Sequence, residues 1–487
     1  MNTQGIIKKS ASHSYRRRRI ATAPGLLAAL AVALIPAPIA AARHAAAPAP
    51  VLSTIPVGRA DTNDPPLFAV DQDAGRAYLV AHSSPARTGS IKVLDNATGR
   101  LLGAFAGQGQ PPITDLALAP RAHHLFVGTD SLPTVRVLDS ATGWLVRTLS
   151  VRPYDRAAAL AVDDTVDRLY VAAVMGMTCL APRPACTLAV LSFDTRTGAR
   201  LRAVALPVQE ESYMGLAVDS AAHRLILAHA ALFLPRARIP LPYDATTGIA
   251  KVAVFDTLNG RLVRQTTLPV HDRMEGFLGD TPVVDAASGR TFLLVAHPSY
   301  YPEDGRLADH AALVFDTRTG ARRRAAPLGP GVSQLAVDGR TGAVFAALYG
   351  PLRRVMVPGG PGLLPYPAFI PVAGGGVRQL DPRTGAVLRT IVTGAATTAV
   401  AIDSRRGRVY VATAGLVDAR GRYAGPGVVS VLDERTGAVL RRFAVAAGPL
   451  RLAVDEQRQR LFVTAVTNGP TGGGVGTVSV VDTAHLP

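Results

Sequence analysis

The sequence predicts an all-β, eight-bladed β-propeller, and three observations predict it. One phrase recurs along the chain: an apolar run, Asp, four residues, usually Arg, and a second apolar run. It reads FAVDQDAGRAYLVA, LAVDDTVDRLYVAA, LAVDSAAHRLILA, VAIDSRRGRVYVAT and LAVDEQRQRLFVTA. A second phrase, an apolar strand ending in Asp and a Thr-Gly turn, alternates with it: VLDNATGRLL, VLDSATGWLV, VFDTRTGARR, LDPRTGAVLR and VLDERTGAVL. The last copy of the second phrase reaches Asp482 and the chain ends five residues later, while residues 51–58, VLSTIPVG, read as an outer strand with nothing before it.

Each pair of phrases supplies one blade of four antiparallel strands, a to d from the axis outward. The first phrase gives strands a and b around a tight turn. The second gives strands c and d around Asp-x-x-Thr-Gly, whose Asp falls at Asp95, Asp139, Asp194, Asp256, Asp316, Asp381, Asp433 and, incompletely, Asp482. Gly supplies a positive φ there, and the Asp side chain can accept backbone N–H bonds from the turn. Blade 4 has DTLNG, with Asn259 in place of Thr, and blade 2 has Ala119-Pro120 in place of the first-phrase Asp. The glycine runs 374–376 and 472–474 read as loops. Strand d of the last blade comes from residues 51–58, so the two ends of the chain close the ring, which ties down the terminal blade and limits exposed edges. A ring of seven is the competing architecture.

Composition agrees. The chain has 487 residues with 46 Gly, 37 Pro and only 5% aromatics, which suits many short strands in one closed unit. Its first fifty residues are different material. Lys8, Lys9 and Arg16 to Arg19 precede an apolar stretch, 20–42, ending in Ala40-Ala41-Ala42, a pattern of a secretory signal peptide. The expected organisation is therefore a signal peptide at 1–42, an Ala/Pro-rich linker at 43–50 and a propeller at 51–487. The protein is expected to be secreted or extracytoplasmic, with membrane attachment only if the stretch stays uncleaved. Residues 1–42 hold six cations and no anion, so removing them lowers the formal charge from +17 to +11. The remaining arginines, such as Arg147, Arg264, Arg389 and Arg441, recur around the ring and read as a solvated rim. No nucleic-acid partner is expected, because they do not cluster with aromatics. The chain is expected to be a monomer. Cys179 and Cys186 share one loop, which outside the cytoplasm reads as a disulfide.

TIPVG, LYVAA and VYVAT resemble the repeats of the YVTN family of β-propellers, over nearly all of residues 51–487. The resemblance implies an exported propeller scaffold of the quinoprotein-like superfamily. Members usually have seven blades, so the count of eight departs from it. The Asp-x-x-Thr-Gly phrase also resembles the repeat of the eight-bladed pyrroloquinoline-quinone dehydrogenases. That family places Trp four residues after the Gly, where it docks between blades. Here those positions hold Gly103, Arg147, Arg202, Arg264, Arg324, Arg389 and Arg441, and Trp144 follows its Gly directly. The vicinal cysteines of that family are also missing, so the quinone is not expected as a cofactor.

Turns of near-constant length gather on one face of such a ring. The b–c loops run from about five residues (130–134) to about twenty-nine (348–376) and lie with the d–a connections on the other. A rigid scaffold with variable loops is how binding surfaces are built. Candidate ligand-binding residues in the d–a connections are Glu210, Glu211, Tyr213, His271, Asp272 and Glu275. His82, His229 and His297 end strands b, and with His271 they are the candidate ligands of a divalent metal. No nucleophile with its base is present, and no G-x-S-x-G elbow. The expected function is an exported scaffold that binds a protein or a small ligand on its variable face. An enzyme at the channel mouth, a lactonase-type hydrolase or a metal-assisted lyase, is the alternative, carried by fold analogy.

Overall fold

In this computed structural model the structure describes residues 51–60, 67–83, 88–105, 112–130, 132–175, 187–207, 213–230, 250–268, 281–296, 309–350, 352–357, 366–371, 374–394, 396–415, 423, 425–466 and 474–486. They form eight antiparallel blades. Blade 3 shows the unit: Arg156–Asp163, Arg168–Met175, Thr187–Asp194 and Arg200–Pro207 pair in chain order. Blade 8 is built from Gly448–Asp455, Arg460–Val466, Gly474–Asp482 and the N-terminal strand Val51–Ala60, paired from Val51 opposite Val481 to Ala60 opposite Gly474. The ring closes between the two ends of the chain, as the repeat count predicts.

Period-2 alternation decides what each blade buries. In blade 4, Leu225 and Leu227 pack toward blade 3, while Ile226 and Ala228 pack toward blade 5. Strands b and c, sandwiched between neighbours, are apolar on both faces and carry the core. Each fully buried Leu or Phe there contributes roughly 1.5–3 kcal/mol.

The turns form as their chemistry requires. Asp433 Oδ1 accepts the Thr436 N–H at 2.7 Å and the Thr436 hydroxyl at 2.6 Å, and Gly437 sits at φ 74°. In DTLNG, Asn259 Oδ1 accepts the Arg261 N–H at 2.9 Å, the bond the Thr hydroxyl accepts elsewhere. In blade 2, Ala119 pairs with His124, and His124 Nδ1 meets the Thr195 carbonyl of blade 3 at 2.8 Å.

The 348–376 connection of blade 6 contains a further hairpin, Leu352–Val357 with Tyr366–Pro371. The glycine run that follows is not a loop throughout. Gly375 opens the third strand of the blade, Gly375–Leu380, and Gly376 lies opposite Leu348. A Cβ on Gly376 would stand 2.0 Å from the Ile391 carbonyl oxygen, so close backbone approach accounts for Gly there.

The repeated arginines are also more than a solvated rim. Arg389 donates to the carbonyls of Glu434 at 3.0 Å and Arg435 at 2.7 Å in the next blade. Arg202 donates to Asn259 O at 2.8 Å, and Arg147 to Thr197 O. In blades 2, 3 and 6 the position given to Trp in the quinone enzymes is an arginine that docks on the neighbouring turn.

Candidate ligand-binding face

Polar side chains bridge neighbouring blades at both ends of the ring. At the turn face, Arg224 pairs with Asp256 at 2.8 Å and donates to Arg318 O of blade 5 at 2.9 Å. Arg460 pairs with Asp482 at 2.8 Å and reaches Ala97 O of blade 1 at 3.0 Å, so it latches the closure. The Tyr of the LYV phrases is a latch too. Tyr78 donates to Ser140 O at 2.7 Å and Tyr170 to Thr257 O at 2.8 Å, each in the next blade. Burial pushes the Tyr78 phenol up to about 12, so it stays protonated and keeps donating.

The opposite face carries the variable loops and the mouth of the channel. Strand a is bulged in blades 2, 6 and 8 just before Asp115, Gln334 and Arg451, which share one height on the channel wall: Asp115 opposes Gly128, Gln334 opposes Ala347, and Arg451 opposes Thr464. A bulge re-aims the side chain that follows it. Asp115 accepts the Leu160 N–H of blade 3 and the Leu116 N–H, both at 2.7 Å. Gln334 Oε1 accepts the Val400 N–H of blade 7 at 3.0 Å. The residue Asp115 keeps some exposure, yet its carboxylate is enclosed. Burial raises it to about 6 against the opposing pull of both N–H bonds and of Arg451. Arg451 acts on it from strand a of blade 8, at the same register height two blades away. Arg156 and Asp130 form an ion pair at 2.7 Å at the same end of the ring.

Two more groups complete this arc. Tyr423, from the b–c connection of blade 7, lies over the start of strand a of blade 8: a Cβ on Gly448 would come within 2.3 Å of its Cε2. Burial, with Tyr349 nearby, drives the Tyr423 phenol well above its ordinary value.

Of the candidates read from sequence, Glu210, Glu211, His271, Asp272, Glu275, His297, Cys179 and Cys186 lie outside the described residues. Tyr213 opens Tyr213–Asp219 of blade 4 opposite Ala230, and the next pair is Met214 with His229, so this edge does bring Tyr213 and His229 to adjacent register positions. His82 pairs with Gly89 and with Arg59 of the closing strand. His229 is buried at 2% exposure, with Nε2 unbonded. Burial, and then Lys251 across the strand pair, lowers it to about 4, so it is a neutral imidazole at ordinary pH. His310 of blade 5 is equally enclosed at 3% and lies opposite Ala296. Among the described residues no three His, Cys, Asp or Glu side chains converge as a metal site.

Sequence reasoning missed Asp115, Gln334, Arg451 and Tyr423. A signal existed for the first three. Gln334 and Arg451 stand four residues before the turn aspartates Asp338 and Asp455, and Asp115 stands four before Ala119, their counterpart by register.

No protein-family model matches the sequence, and no curated protein does. Solved structures match at low identity. The Dos1 propeller superposes with a TM-score of 0.54 at 14% identity, over 88% of this chain and 96% of that one. BamB from Moraxella catarrhalis gives a TM-score of 0.46 at 16% identity, over 88% of this chain and 98% of that one. What the chain shares with the Dos1 propeller at this identity is the β-propeller fold.

Proposed function

We propose that this chain is an exported β-propeller scaffold that binds a ligand or partner protein across its variable-loop face, anchored at the channel mouth by Asp115, Arg451 and Gln334. One observation carries the reading. The turn face uses its Asp, Arg and Tyr groups to lock blades together, whereas the loop face holds the added hairpin of Leu352–Val357 with Tyr366–Pro371 and sets three polar residues, Asp115, Gln334 and Arg451, at one register height on the innermost strands. Convergent polar groups in a concave site are the usual mark of a binding site. The basic and apolar N-terminal segment supports export.

Two measurements test it. A photo-crosslinking residue at Leu132 or Met175, both exposed on the loop face, is expected to trap a defined partner in cells, and one at Arg383 of the turn face is not. For a small ligand, any compound that raises the melting temperature of the wild type should bind Arg451→Ser at least about tenfold more weakly, the loss of one charge-assisted hydrogen bond. Protein adducts confined to position 383, together with ligand binding indifferent to Arg451, overturn the reading.

A further inference from the structure

One blade joint on the turn face is built from two carboxyl groups. Thr341 lies in the a–b turn of blade 6, Asp338-Gly339-Arg340-Thr341-Gly342. Its hydroxyl stands 2.9 Å from Asp338 Oδ2 and makes a second, short contact with Glu434 Oε1 of blade 7. The two carboxyls are also hydrogen-bonded to each other. Both are enclosed, Asp338 at 0% and Glu434 at 6% exposure. A hydroxyl carries one proton, and an ionised carboxylate only accepts. Thr341 can therefore donate to one of the two, and the contacts that remain need a proton on the other. Asp338 Oδ1 accepts the Arg340 N–H at 2.7 Å, which suits the ionised member. The Thr341 oxygen accepts the Ala343 N–H at 3.2 Å and keeps a lone pair for one further donor. That leaves Glu434 as the acid.

The repeat supplies an independent comparison. Glu434 follows the c–d turn aspartate Asp433 and meets the a–b turn of the preceding blade. Asn96 follows Asp95 in the same way, and its Nδ2 donates to Asp455 Oδ2 of blade 8 at 2.7 Å. The other blades carry Ser140, Thr195, Thr257, Thr317, Pro382 and Thr483 at this position, so Glu434 is its one ionisable side chain. The amide of Asn96 does what a protonated Glu434 does: it donates to the turn aspartate. The charged groups on the turns packed around Glu434 are engaged in their own contacts. Arg340 donates to Ser404 O at 2.8 Å, Arg389 to the main-chain carbonyl of Glu434 at 3.0 Å, and Arg406 to Thr483 O at 3.1 Å. Arg405 pairs with Glu456 at 3.8 Å and Arg408 with Asp433 at 3.4 Å. Asp403, on the same turn as Arg405 and Arg406, adds a further carboxyl.

We propose that Asp338 and Glu434 share one proton and form a pH-sensitive latch between blades 6 and 7. While the proton is held, the acid bridges the joint. Once it leaves, two carboxylates face each other in an enclosed contact, and like charges there repel. Burial, then the contact with Asp338, raises Glu434 above the usual carboxyl range against the pull of the Thr341 hydroxyl. Against burial, hydrogen bonds from Ser404 and the Arg340 N–H hold Asp338 below that range. At Glu434 the native state thus binds more protons than the unfolded chain. The latch is fully formed below the ordinary Glu range and is lost as pH rises through the raised folded value. It lies on the turn face, so its test is independent of any ligand at the loop face.

Glu434→Gln puts an amide of the same shape in place of the acid, a donor at every pH, as Asn96 is. Denaturant unfolding of the full chain compares the two proteins across pH. The folding constant of the wild type relative to Glu434→Gln should be steady below about pH 4. It should then fall by up to about tenfold per pH unit, and level off once Glu434 is ionised in the folded state. Hydrogen exchange in the wild type alone gives a second readout. After correction for the intrinsic rate, protection of residues 338–343 and 433–437 should decline with rising pH relative to the matching Asn96 joint, 455–460 and 95–99. A ratio of folding constants that does not vary with pH, or protection that changes in parallel at the two joints, overturns the proposal. So does a wild type that calcium ion stabilises while Glu434→Gln is indifferent to it, because a cation and not a proton would then join the carboxyls.

Discussion

The guanidinium of Arg389 lies across Gly437 of the next blade. A Cβ on Gly437 would stand 3.0 Å from Arg389 Cζ and 2.7 Å from Ile391 Cδ1, and Gly437 itself holds φ 74°. The glycine therefore serves twice, in the turn conformation and as the seat for the preceding blade's arginine. Gly437→Ala should cost about 2 kcal/mol, part from the left-handed backbone and part from overpacking. Arg389→Ala should cost about 1 kcal/mol from lost hydrogen bonds to the turn carbonyls. The double variant should cost less than the sum, because one of the two clashes is gone. Denaturant midpoints of the four proteins check this, and strict additivity would refute the contact.

Tyr170 donates to the Thr257 carbonyl, and Tyr170→Phe leaves that buried acceptor without its partner. Phe already stands at the matching position of other blades, for example Phe292 and Phe462, so the fold accommodates the ring. The expected loss is about 1–2 kcal/mol in denaturant unfolding, with binding at the loop face unchanged.

Removing residues 51–60 should destabilise the whole ring. The segment buries Ile55 at 8% and Val57 at 1% exposure and supplies the outer strand of blade 8. Burial of those two side chains alone is worth roughly 3–6 kcal/mol, before the newly exposed edge is considered. A shortened protein that unfolds at the wild-type denaturant midpoint would contradict closure by this strand.

Asp115 and His229 should act oppositely on stability between about pH 4 and 6.5. The folded value of Asp115 is raised, so the native state binds more protons there than the unfolded chain, and its contribution falls as pH rises toward 6. The folded value of His229 is lowered to about 4, so the unfolded chain binds more protons, and its contribution is lost as pH falls from 6.5 toward 4. The shift at His229 corresponds to roughly 3 kcal/mol, and that at Asp115 to less because the residue is partly exposed. In the wild type the two offset each other. His229→Gln should therefore gain stability as pH falls through this window, and Asp115→Asn should lose it. Parallel profiles for both variants and the wild type would refute the assignment.

The sequence by itself determined the blade count, the ring closure and the turns. Those features repeat, and each is written in local chemistry: Asp433, Thr436 and Gly437 build their turn from their own side chains and backbone, whatever lies elsewhere. It also marked which face carries long loops, since loop length is a sequence property. Only the tertiary structure decided which polar residues meet. Asp115 and Arg451 stand 336 positions apart in the chain and reach one register height on the innermost strands because the ring closes between blades 8 and 1 and both strands bulge at the same place. In sequence His229 reads as a strand-end metal-ligand candidate; packing between blades made it a buried neutral imidazole. The repeated arginines looked solvated because no local pattern shows that the next blade's turn carbonyls lie within reach. Contacts within a turn are set by a few neighbouring residues, whereas contacts between blades depend on where the whole ring places them.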